Sequence, residues 1–221
     1  MDRSDPQAAV ANRLRAAASA MGVSLTDDSI GRLERFLALL VVWRRRMNLV
    51  SQTTASEIID KHIEDSLALV RLLSLGWQVV DLGSGAGFPG IVLALACPDI
   101  EVALVESRLR KVSFLRAAIR ESRADNVKAV CARAEELSDR DGFVAAFDMA
   151  VSRAVWPLAK FTAIARPLLR DNGIAVSMRG PGGTGGDRTV VPKGYASTQV
   201  SEYELSGGEK RCLVISRRCF T

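Results

Sequence analysis

A strand-like run that leads directly into a glycine-rich turn constrains this chain more than any other feature of its sequence. Residues 79–90 read VVDLGSGAGFPG, with Asp81 before the turn and four glycines at two- and three-residue spacing. Glycines let a backbone approach a ligand where a Cβ atom would clash, and a helix that starts there points free N–H groups at the ligand. The pattern predicts a ligand site at the carboxyl end of a strand in an open parallel sheet.

Short β-branched runs alternate with amphipathic helical patterns from residue 77 onward. Strands are predicted at 77–82, 101–106, 127–130, 147–151 and 173–178, and helices at 91–97, 109–122 and 156–169. The last two runs, 197–205 and 211–218, flank Ser206-Gly207-Gly208-Glu209 and predict a closing antiparallel hairpin. Alternating strands and helices indicate an α/β fold with a parallel sheet and right-handed crossovers.

The first part of the chain has a different pattern, which is helical throughout. Amphipathic segments are predicted at 6–21 and 27–47, and a third begins with a capping box at Thr54 and continues to about Gly76. We therefore expect two regions, an N-terminal helical extension (1–76) packed on the core and an α/β domain (77–221). The glycine-rich stretch 180–194 is predicted to be a loop.

Composition excludes several classes of protein. Hydrophobic residues make up 48% of the 221 residues and charged residues 25%, which is typical of a globular chain. The longest apolar run, 36–43, is far shorter than the roughly 20 residues that cross a bilayer. The four cysteines form no C-x-x-C pair and there is one histidine, so neither a zinc site nor a Ser-His-Asp triad is expected. We expect a monomeric cytoplasmic protein with no metal and no membrane partner.

The glycine turn admits two ligand classes. Residues 85–90 match G-x-G-x-x-G, so a nicotinamide dinucleotide is a candidate. The match begins three residues after the strand, however, and the carboxylate of Asp81 at the strand end would repel a pyrophosphate. S-adenosylmethionine carries an ammonium and a sulfonium, so an acid here favours it over a dinucleotide. The alternative interpretation is a structural turn in which Asp81 caps the following helix.

Polar residues follow the next three predicted strands on the same side. Glu106 ends the second strand, 25 positions after Asp81, where an acid can hold a ribose diol by two hydrogen bonds. Ala134 and Glu135 follow the third strand, where a helix start can lie against an adenine ring; a solvated acid is the alternative for Glu135. Arg153 follows the fourth strand and suits a carboxylate, a phosphate or a base edge, with a surface arginine as the alternative.

Further short motifs complete an ordered set. They are Trp43 with Met47-Asn48-Leu49, His62-Ile63 and Asp65-Ser66-Leu67, the turn at 81–90, Glu106-Ser107 before Lys111 and Phe114-Leu115, Arg133-Ala134-Glu135-Glu136, Ser152-Arg153-Ala154, and Gly208-Glu209-Lys210-Arg211. In this order, and with Phe88-Pro89-Gly90 inside the turn, the set resembles the bacterial 16S rRNA guanine-N7 methyltransferases once called glucose-inhibited division protein B. One departure is Arg179-Gly180, where that family commonly has Lys-Gly.

The resemblance implies a class I S-adenosylmethionine-dependent methyltransferase, with a Rossmann-like sheet of seven strands whose last strand is reversed. It implies cofactor contacts at Gly83, Phe88, Ala134, Glu135 and Arg153. Together with the turn and the strand-end acids, the expected cofactor site is Asp81, Gly83, Gly85, Gly87, Phe88, Glu106, Ala134, Glu135 and Arg153. The implied substrate is one guanine of 16S rRNA near the decoding region of the small ribosomal subunit. Loss of such an enzyme implies an altered streptomycin response in bacteria.

Methylation at guanine N7 places few demands on the protein. The nitrogen has a free lone pair and no proton, so no general base is needed, and positioning alone can supply up to about 7–11 kcal/mol. We assign no acid or base, and name Arg153, His62 and Asp65 as positioning candidates. His62 and Asp65 lie one helical turn apart, either lining the guanine side or, the favoured interpretation, as a hydrogen-bonded pair that ties the helical extension to the core.

Charge is uneven along the chain. Residues 151–221 carry 11 basic and 5 acidic residues, a net charge of +6 beside a total of +5. A basic C-terminal third allows a polyanionic partner. Candidate RNA contacts are Arg44, Arg45, Arg46, Arg179, Arg188 and Lys193, each with a solvated surface charge as the alternative.

Two other functions stay open from the sequence. One is a dinucleotide-dependent oxidoreductase that uses residues 85–90. The other is a non-catalytic RNA-binding module with a vestigial pocket.

Overall fold

The computed structural model describes residues 6–180 and 190–219 and contains one sheet of seven strands. The strands are β1 (Gln78–Leu82), β2 (Glu101–Glu106), β3 (Val127–Cys131), β4 (Phe147–Arg153), β5 (Leu169–Arg179), β6 (Tyr195–Glu204) and β7 (Lys210–Arg218). Their order across the sheet is β3-β2-β1-β4-β5-β7-β6. Strands β1 to β5 are parallel, and β7 runs antiparallel to both of its neighbours. The predicted α/β fold with a reversed last strand is confirmed.

Helices lie in both regions where the sequence predicts them, before the first strand and between the strands, with two differences that are described below. They are α1 (Pro6–Ala20), α2 (Asp27–Met47), α3 (Ala55–Ile58), α4 (Glu64–Leu67), α5 (Gly90–Ala96), α6 (Leu109–Ser122) and α7 (Leu158–Ala165). Thr26 caps α2 by accepting a hydrogen bond from the backbone N–H of Ser29, and Thr54 with Glu57 forms the predicted capping box.

The third helical segment differs from the prediction in its winding and its length. A π-helical turn, Ile59–Ile63, joins α3 to α4, and a short 3₁₀ helix, Val70–Leu72, follows. A π-turn inserts an extra residue into the helix and rotates the side chains that follow it. His62 lies inside this turn, so the winding sets its direction.

The segment between β4 and β5 also differs, because the predicted helix at 156–169 is longer than the real one. Helix α7 ends at Ala165, and β5 begins at Leu169, where it pairs with Phe147. The predicted strand start at Gly173 is wrong, because residues 171–173 form an irregularity within the strand pairing. Asn172 adopts a positive φ of 62° there, and the ion pair of Arg170 with Asp148 at 2.9 Å joins the two strands.

One hydrophobic cluster joins the N-terminal helices to the sheet. It includes Leu14 of α1, Phe36 of α2 and Ile63 of the π-turn together with Ile91 of α5 and Phe114 of α6, all 0% exposed. A second cluster covers the opposite face of the sheet. Among the described helices, none is both long and apolar enough to cross a membrane.

Parallel pairing brings the ends of the first strands together. Leu82 lies beside Val105, Glu106 beside Cys131, and Arg153 beside Met178. We call the end of the sheet at which strands β1 to β5 finish the carboxyl edge. The residues that sequence analysis placed after β1 to β4 therefore meet along one edge, as ligand sites in open α/β sheets do.

Candidate active site

The glycine turn between β1 and α5 is held by its own backbone and by two acids. Gly83 and Gly85 have positive φ angles of 75° and 55°, and Gly87 has 92°, a region that glycine adopts without strain. The N–H of Gly85 donates to Oε2 of Glu106 at 3.2 Å, and that of Gly87 to the carbonyl of Ser84 at 2.7 Å. These partners occupy the amides that a dinucleotide pyrophosphate would need, so the geometry opposes the oxidoreductase alternative.

Asp81 lies behind the turn. Its side chain is buried, and Oδ2 accepts a hydrogen bond from the N–H of Gly90 at 3.0 Å, at the start of α5. Oδ1 is buried and has no hydrogen-bond partner among the described residues. Burial raises the pKa of Asp81 to about 7. The capping interpretation of Asp81 is therefore correct for one oxygen, while the other has no partner in the described part of the chain. Asp81 is only 1% exposed and lies behind the cleft lining rather than in it.

Glu106 closes the same turn from β2. Its Oε1 accepts from the N–H of Arg108 at 2.9 Å and its Oε2 from Gly85, so the carboxylate orientation is determined on both sides. The residue is buried but lines the cleft at the carboxyl edge. A carboxylate that is fixed and ligand-facing is suited to accept hydrogen bonds from the two hydroxyls of a ribose.

A cleft of about 340 Å³ lies at the carboxyl edge, within the usual size range of small-molecule sites. Its lining comes from the ends of β1, β2, β3 and β4, and consists of Gly83, Val105, Glu106, Ser107, Arg108, Lys111, Ala132, Arg133, Ala134, Glu135, Val155 and Trp156. Four of the predicted cofactor residues, Gly83, Glu106, Ala134 and Glu135, are brought together here. Glu135 also forms an ion pair with Lys160 at 3.2 Å, at the exposed rim.

Arg153, His62 and Phe88 meet beside the turn. The Arg153 guanidinium lies 5.2 Å from the centroid of the Phe88 ring, and the His62 ring stacks on the same phenyl ring at 5.1 Å. Phe88 is buried among these residues, on the side of the turn that faces the N-terminal helices. Arg153 is largely buried, with 21% of its side chain exposed, so the surface-arginine alternative is wrong.

His62 is a neutral hydrogen-bond acceptor toward Arg153. Its Nδ1 lies 2.9 Å from Nη1 of Arg153, and its Nε2 lies 2.7 Å from Oε1 of Gln52. Because a guanidinium only donates, Nδ1 must accept, and Nε2 must carry the proton that is donated to Gln52. Burial, followed by the positive charge of Arg153, lowers the pKa of His62 to about 3.

Asp65 connects Arg153 to the last two strands. Its Oδ2 lies 3.5 Å from Arg153, and its Oδ1 accepts a hydrogen bond from the Tyr203 hydroxyl at 2.6 Å and lies 3.7 Å from Arg211. The expectation that His62 and Asp65 form a direct hydrogen-bonded pair differs from this geometry, because Arg153 lies between them. Both residues nevertheless join the helical extension to the α/β core.

S-adenosylmethionine fits the residues present. The backbone of Gly83 packs directly against the cleft wall, because a Cβ atom added there would lie 2.9 Å from Cγ2 of Val155. Glu106 offers a carboxylate to a ribose, and the unpartnered Oδ1 of Asp81 suits a cation. The cleft lining is mixed in charge, with Glu106 and Glu135 beside three basic residues, so the fit rests on the fixed carboxylate of Glu106 and not on net charge.

Strand register places two of the described RNA candidates, Arg179 and Lys193, at opposite ends of the sheet. Arg44 lies near the end of α2, whereas the side chains of Arg45 and Arg46, and all of Arg188, lie outside the described residues. Arg179 ends β5 at the carboxyl edge, and its Nε donates to Ser177 at 3.2 Å. Lys193 precedes β6, whose first residue, Tyr195, pairs with Arg218 beside the opposite edge of the sheet. Register therefore separates Lys193 from Arg179 and from the cleft.

Three contributors escape sequence analysis. Gln52 orients His62 from a loop, Tyr203 binds Asp65 across 138 positions, and Val155 forms the cleft wall after an unremarkable strand end. Ala154, with a φ of 55°, marks the sharp bend that turns Val155 into the cleft. In the sequence, the Ser152-Arg153-Ala154 motif is the feature that marks this bend.

Solved structures of other proteins share this architecture. The C-terminal domain of precorrin-6Y C5,15-methyltransferase from Rhodobacter capsulatus superposes with a TM-score of 0.55 at 14% identity, over 76% of this chain and 92% of that one. TYW2 from M. jannaschii, solved in complex with AdoMet, gives 0.53 at 16% identity, over 72% and 76%. At these identities the similarity establishes the fold, which is the class I methyltransferase fold.

Sequence relatives identify the family. The GidB family, described as rRNA small subunit methyltransferase G, matches residues 29–184. Proteins named ribosomal RNA small subunit methyltransferase G share 39% identity in Geobacter metallireducens, over 91% of this chain and 93% of that protein. In Neisseria gonorrhoeae they share 32% identity, over 93% and 98%. The chain is therefore a member of the rRNA small subunit methyltransferase G family.

Proposed function

We propose that this protein transfers a methyl group from S-adenosylmethionine to N7 of one guanine of 16S rRNA, guanine 527 in the usual numbering, in the small ribosomal subunit. The observation that carries the proposal is the cleft at the carboxyl edge, where Glu106, the Gly83 turn and Ala134 converge. Family membership supports a ribosomal RNA substrate. It also favours this activity over an oxidoreductase or a non-catalytic RNA-binding module.

Different residues of the chain contact different parts of the cofactor. Glu106 accepts hydrogen bonds from the ribose hydroxyls. The base is bordered by the start of a 3₁₀ helix, Ala134–Asp139, where Ala134 is buried and Glu135 is exposed. The Gly83–Gly87 turn lies against the amino-acid end, and Oδ1 of Asp81 offers negative charge to the ammonium. S-adenosylmethionine, when bound, supplies an electrophilic methyl group on a sulfonium.

The acceptor base is expected on the other side of the Val155-Trp156 segment. A second groove there is lined by Ala154, Val155, Trp156, Pro157, Ser177, Met178, Arg179 and Gly180. It shares Val155 and Trp156 with the cofactor cleft, so a methyl group and a purine would meet at this segment. A target base leaves its stack at a cost of a few kcal/mol to enter such a groove.

The residues near this junction position groups rather than move protons. As N7 bonds to the methyl carbon, the carbon–sulfur bond breaks; the sulfur becomes a neutral thioether, and the purine takes the positive charge. No proton is transferred in this step, so a base is unnecessary. His62 is neutral, and its Nδ1 lone pair is engaged by Arg153, which agrees with a positioning role.

Methyl transfer can be measured directly. The purified protein, labelled S-adenosylmethionine, and either deproteinised 16S rRNA or 30S particles from cells that lack this gene are combined, and the label is mapped by mass spectrometry. We expect one methyl group on guanine N7 and no label on protein or free guanosine. Label elsewhere on the RNA would reject the N7 assignment, and NADH binding without S-adenosylhomocysteine binding in calorimetry would reject the cofactor.

A cofactor-site variant separates catalysis from RNA binding. Asp81→Ala should abolish methyl transfer and weaken S-adenosylhomocysteine binding while RNA affinity is retained. If instead the cellular phenotype of gene loss is fully rescued by Asp81→Ala, the non-catalytic RNA-binding module is the better description.

A further inference from the structure

Helix α6 presents an exposed row of arginines that the cofactor site does not use. Arg116 and Arg120 are four positions apart and Arg123, at the helix C-cap, follows three positions later, so the three share one face of the helix. All three are exposed. We call them the α6 arginine face.

The arginine face is not a consequence of general composition. Residues 77–150 carry 9 basic and 11 acidic residues, a net charge of −2. Within that region, residues 108–123 carry six basic residues and one acid, Glu121. Positive charge is therefore concentrated on this single helix against the trend of its surroundings.

No described carboxylate neutralises this face. The ion pairs of the described residues involve other arginines and lysines, and none includes Arg116, Arg120 or Arg123. Like charges at i,i+4, such as Arg116 and Arg120, repel and destabilise an isolated helix. The first turn of α6 also has Arg110 and Lys111 and no acid, which opposes the helix dipole. An external polyanion would relieve both effects.

The helix that carries the face also reaches the cofactor cleft, at its N-terminal end. Arg108 and Lys111, at the N-terminal end of α6, line that cleft, and the helix extends away from it by about 1.5 Å per residue. An RNA strand whose target base enters at the carboxyl edge can therefore pass along α6. A groove between the end of α2 and the start of α6 is lined by Val42 on one side and by Arg110 on the other.

We propose that the α6 arginine face binds the phosphate backbone of the substrate rRNA outside the target nucleotide. The proposal rests on the proposed function for the identity of the RNA. Guanidinium groups form bidentate hydrogen bonds with phosphates, and a row of them holds a strand in register without reading its sequence. The face thus supplies affinity and orientation, while the cleft supplies chemistry.

The test compares two double variants that lose the same charge. Arg116→Gln with Arg120→Gln alters the face. Arg71→Gln with Arg217→Gln is the matched control, because Arg71 contacts Ser201 of β6 and Arg217 lies in β7, at the other side of the sheet. Binding to deproteinised 16S rRNA is measured over a series of salt concentrations, alongside steady-state methylation and calorimetry with S-adenosylhomocysteine.

For the α6 variant we expect the slope of log K against log salt concentration to decrease in magnitude by about 2, which is about 1 for each lost phosphate contact. The KM for rRNA should rise roughly tenfold, with kcat and S-adenosylhomocysteine affinity unchanged, and the control should match the wild type. An unchanged slope and KM, or an equal loss in the control, would overturn the proposal. The RNA-binding comparison decides this even if no methyl transfer is seen, an outcome that would reject the proposed function instead.

Discussion

Nδ1 of His62 accepts a hydrogen bond from the guanidinium of Arg153 at 2.9 Å, across the N-terminal extension and the end of β4. This contact requires a neutral imidazole, because a protonated ring has no lone pair to offer. It also holds the guanidinium over Phe88. The only histidine of the chain therefore serves to orient a cation beside the glycine turn.

This hydrogen bond predicts that the free energy of unfolding depends on pH through His62. Its pKa is about 3 in the folded protein against 6.5 in an ordinary site, so the unfolded chain binds more protons between those values. The stability from this group is fully present above about pH 6.5 and is lost as the pH falls toward 3. We expect His62→Gln, which cannot titrate, to flatten the pH dependence of unfolding, by about 2–3 kcal/mol between pH 7 and 4. Urea unfolding at each pH measures it.

A parallel loss in wild type and His62→Gln would contradict this prediction. The methylation rate at saturating S-adenosylmethionine, where the titration of Asp81 no longer limits cofactor binding, supplies a second readout. Because His62 does not titrate near neutrality, the wild-type profile of that rate against pH should show no inflection near pH 6.5.

Glu106 should control cofactor binding through its charge. In the proposed site a carboxylate accepts from the ribose hydroxyls, and hydrogen bonds to charged groups contribute about 1.5–3 kcal/mol. Glu106→Gln should weaken S-adenosylhomocysteine binding roughly 10- to 100-fold in calorimetry. Glu101, the exposed first residue of the same strand, provides the control, and Glu101→Gln should bind like the wild type. Equal affinities for the two variants would remove Glu106 from the site.

Local patterns are enough to predict the sheet and the glycine turn. Residues 101–106 and 109–122 form the predicted strand and helix without change, because alternation and helical spacing are properties of neighbouring residues. Glu106 is likewise predictable, because its position follows from the end of a strand. The turn chemistry of 171–173 misleads, since strand pairing with Phe147 extends β5 back to Leu169.

Contacts between distant segments are beyond such patterns. The Tyr203–Asp65 hydrogen bond joins residues 138 positions apart, and Arg153 meets His62 across 91. Only the packing of the helical extension on the sheet brings them together. The separation of Lys193 from Arg179 is equally hidden from local patterns, because strand direction in the last hairpin decides which end of the sheet each residue reaches.

Gly90 is tightly packed and Gly31 is not, so alanine substitutions at these two positions should have opposite effects on stability. A Cβ atom at Gly90 would collide with Cδ2 of Leu104 and lie 2.8 Å from Oδ2 of Asp81, so Gly90→Ala should destabilise the protein by at least about 1–3 kcal/mol. Gly31, inside α2, has only Arg35 Nη1 at 3.8 Å. Gly31→Ala should stabilise by up to about 1 kcal/mol through helix propensity. Chemical denaturation tests both, and a stable Gly90→Ala protein would contradict the packing argument.

Asp81 should make the ligand-free protein less stable as the pH rises. Its pKa is about 7 in the fold against 3.8 ordinarily, so the folded state binds more protons between those values and stability falls with increasing pH across that window. Asp81→Asn removes the titration. From pH 5 to 8 the stability difference should therefore shift by about 2–3 kcal/mol in favour of the variant. A cationic ligand at Oδ1 would reverse the effect, so wild-type S-adenosylhomocysteine affinity should increase over the same range. Affinity that is independent of pH would place the ammonium away from Asp81.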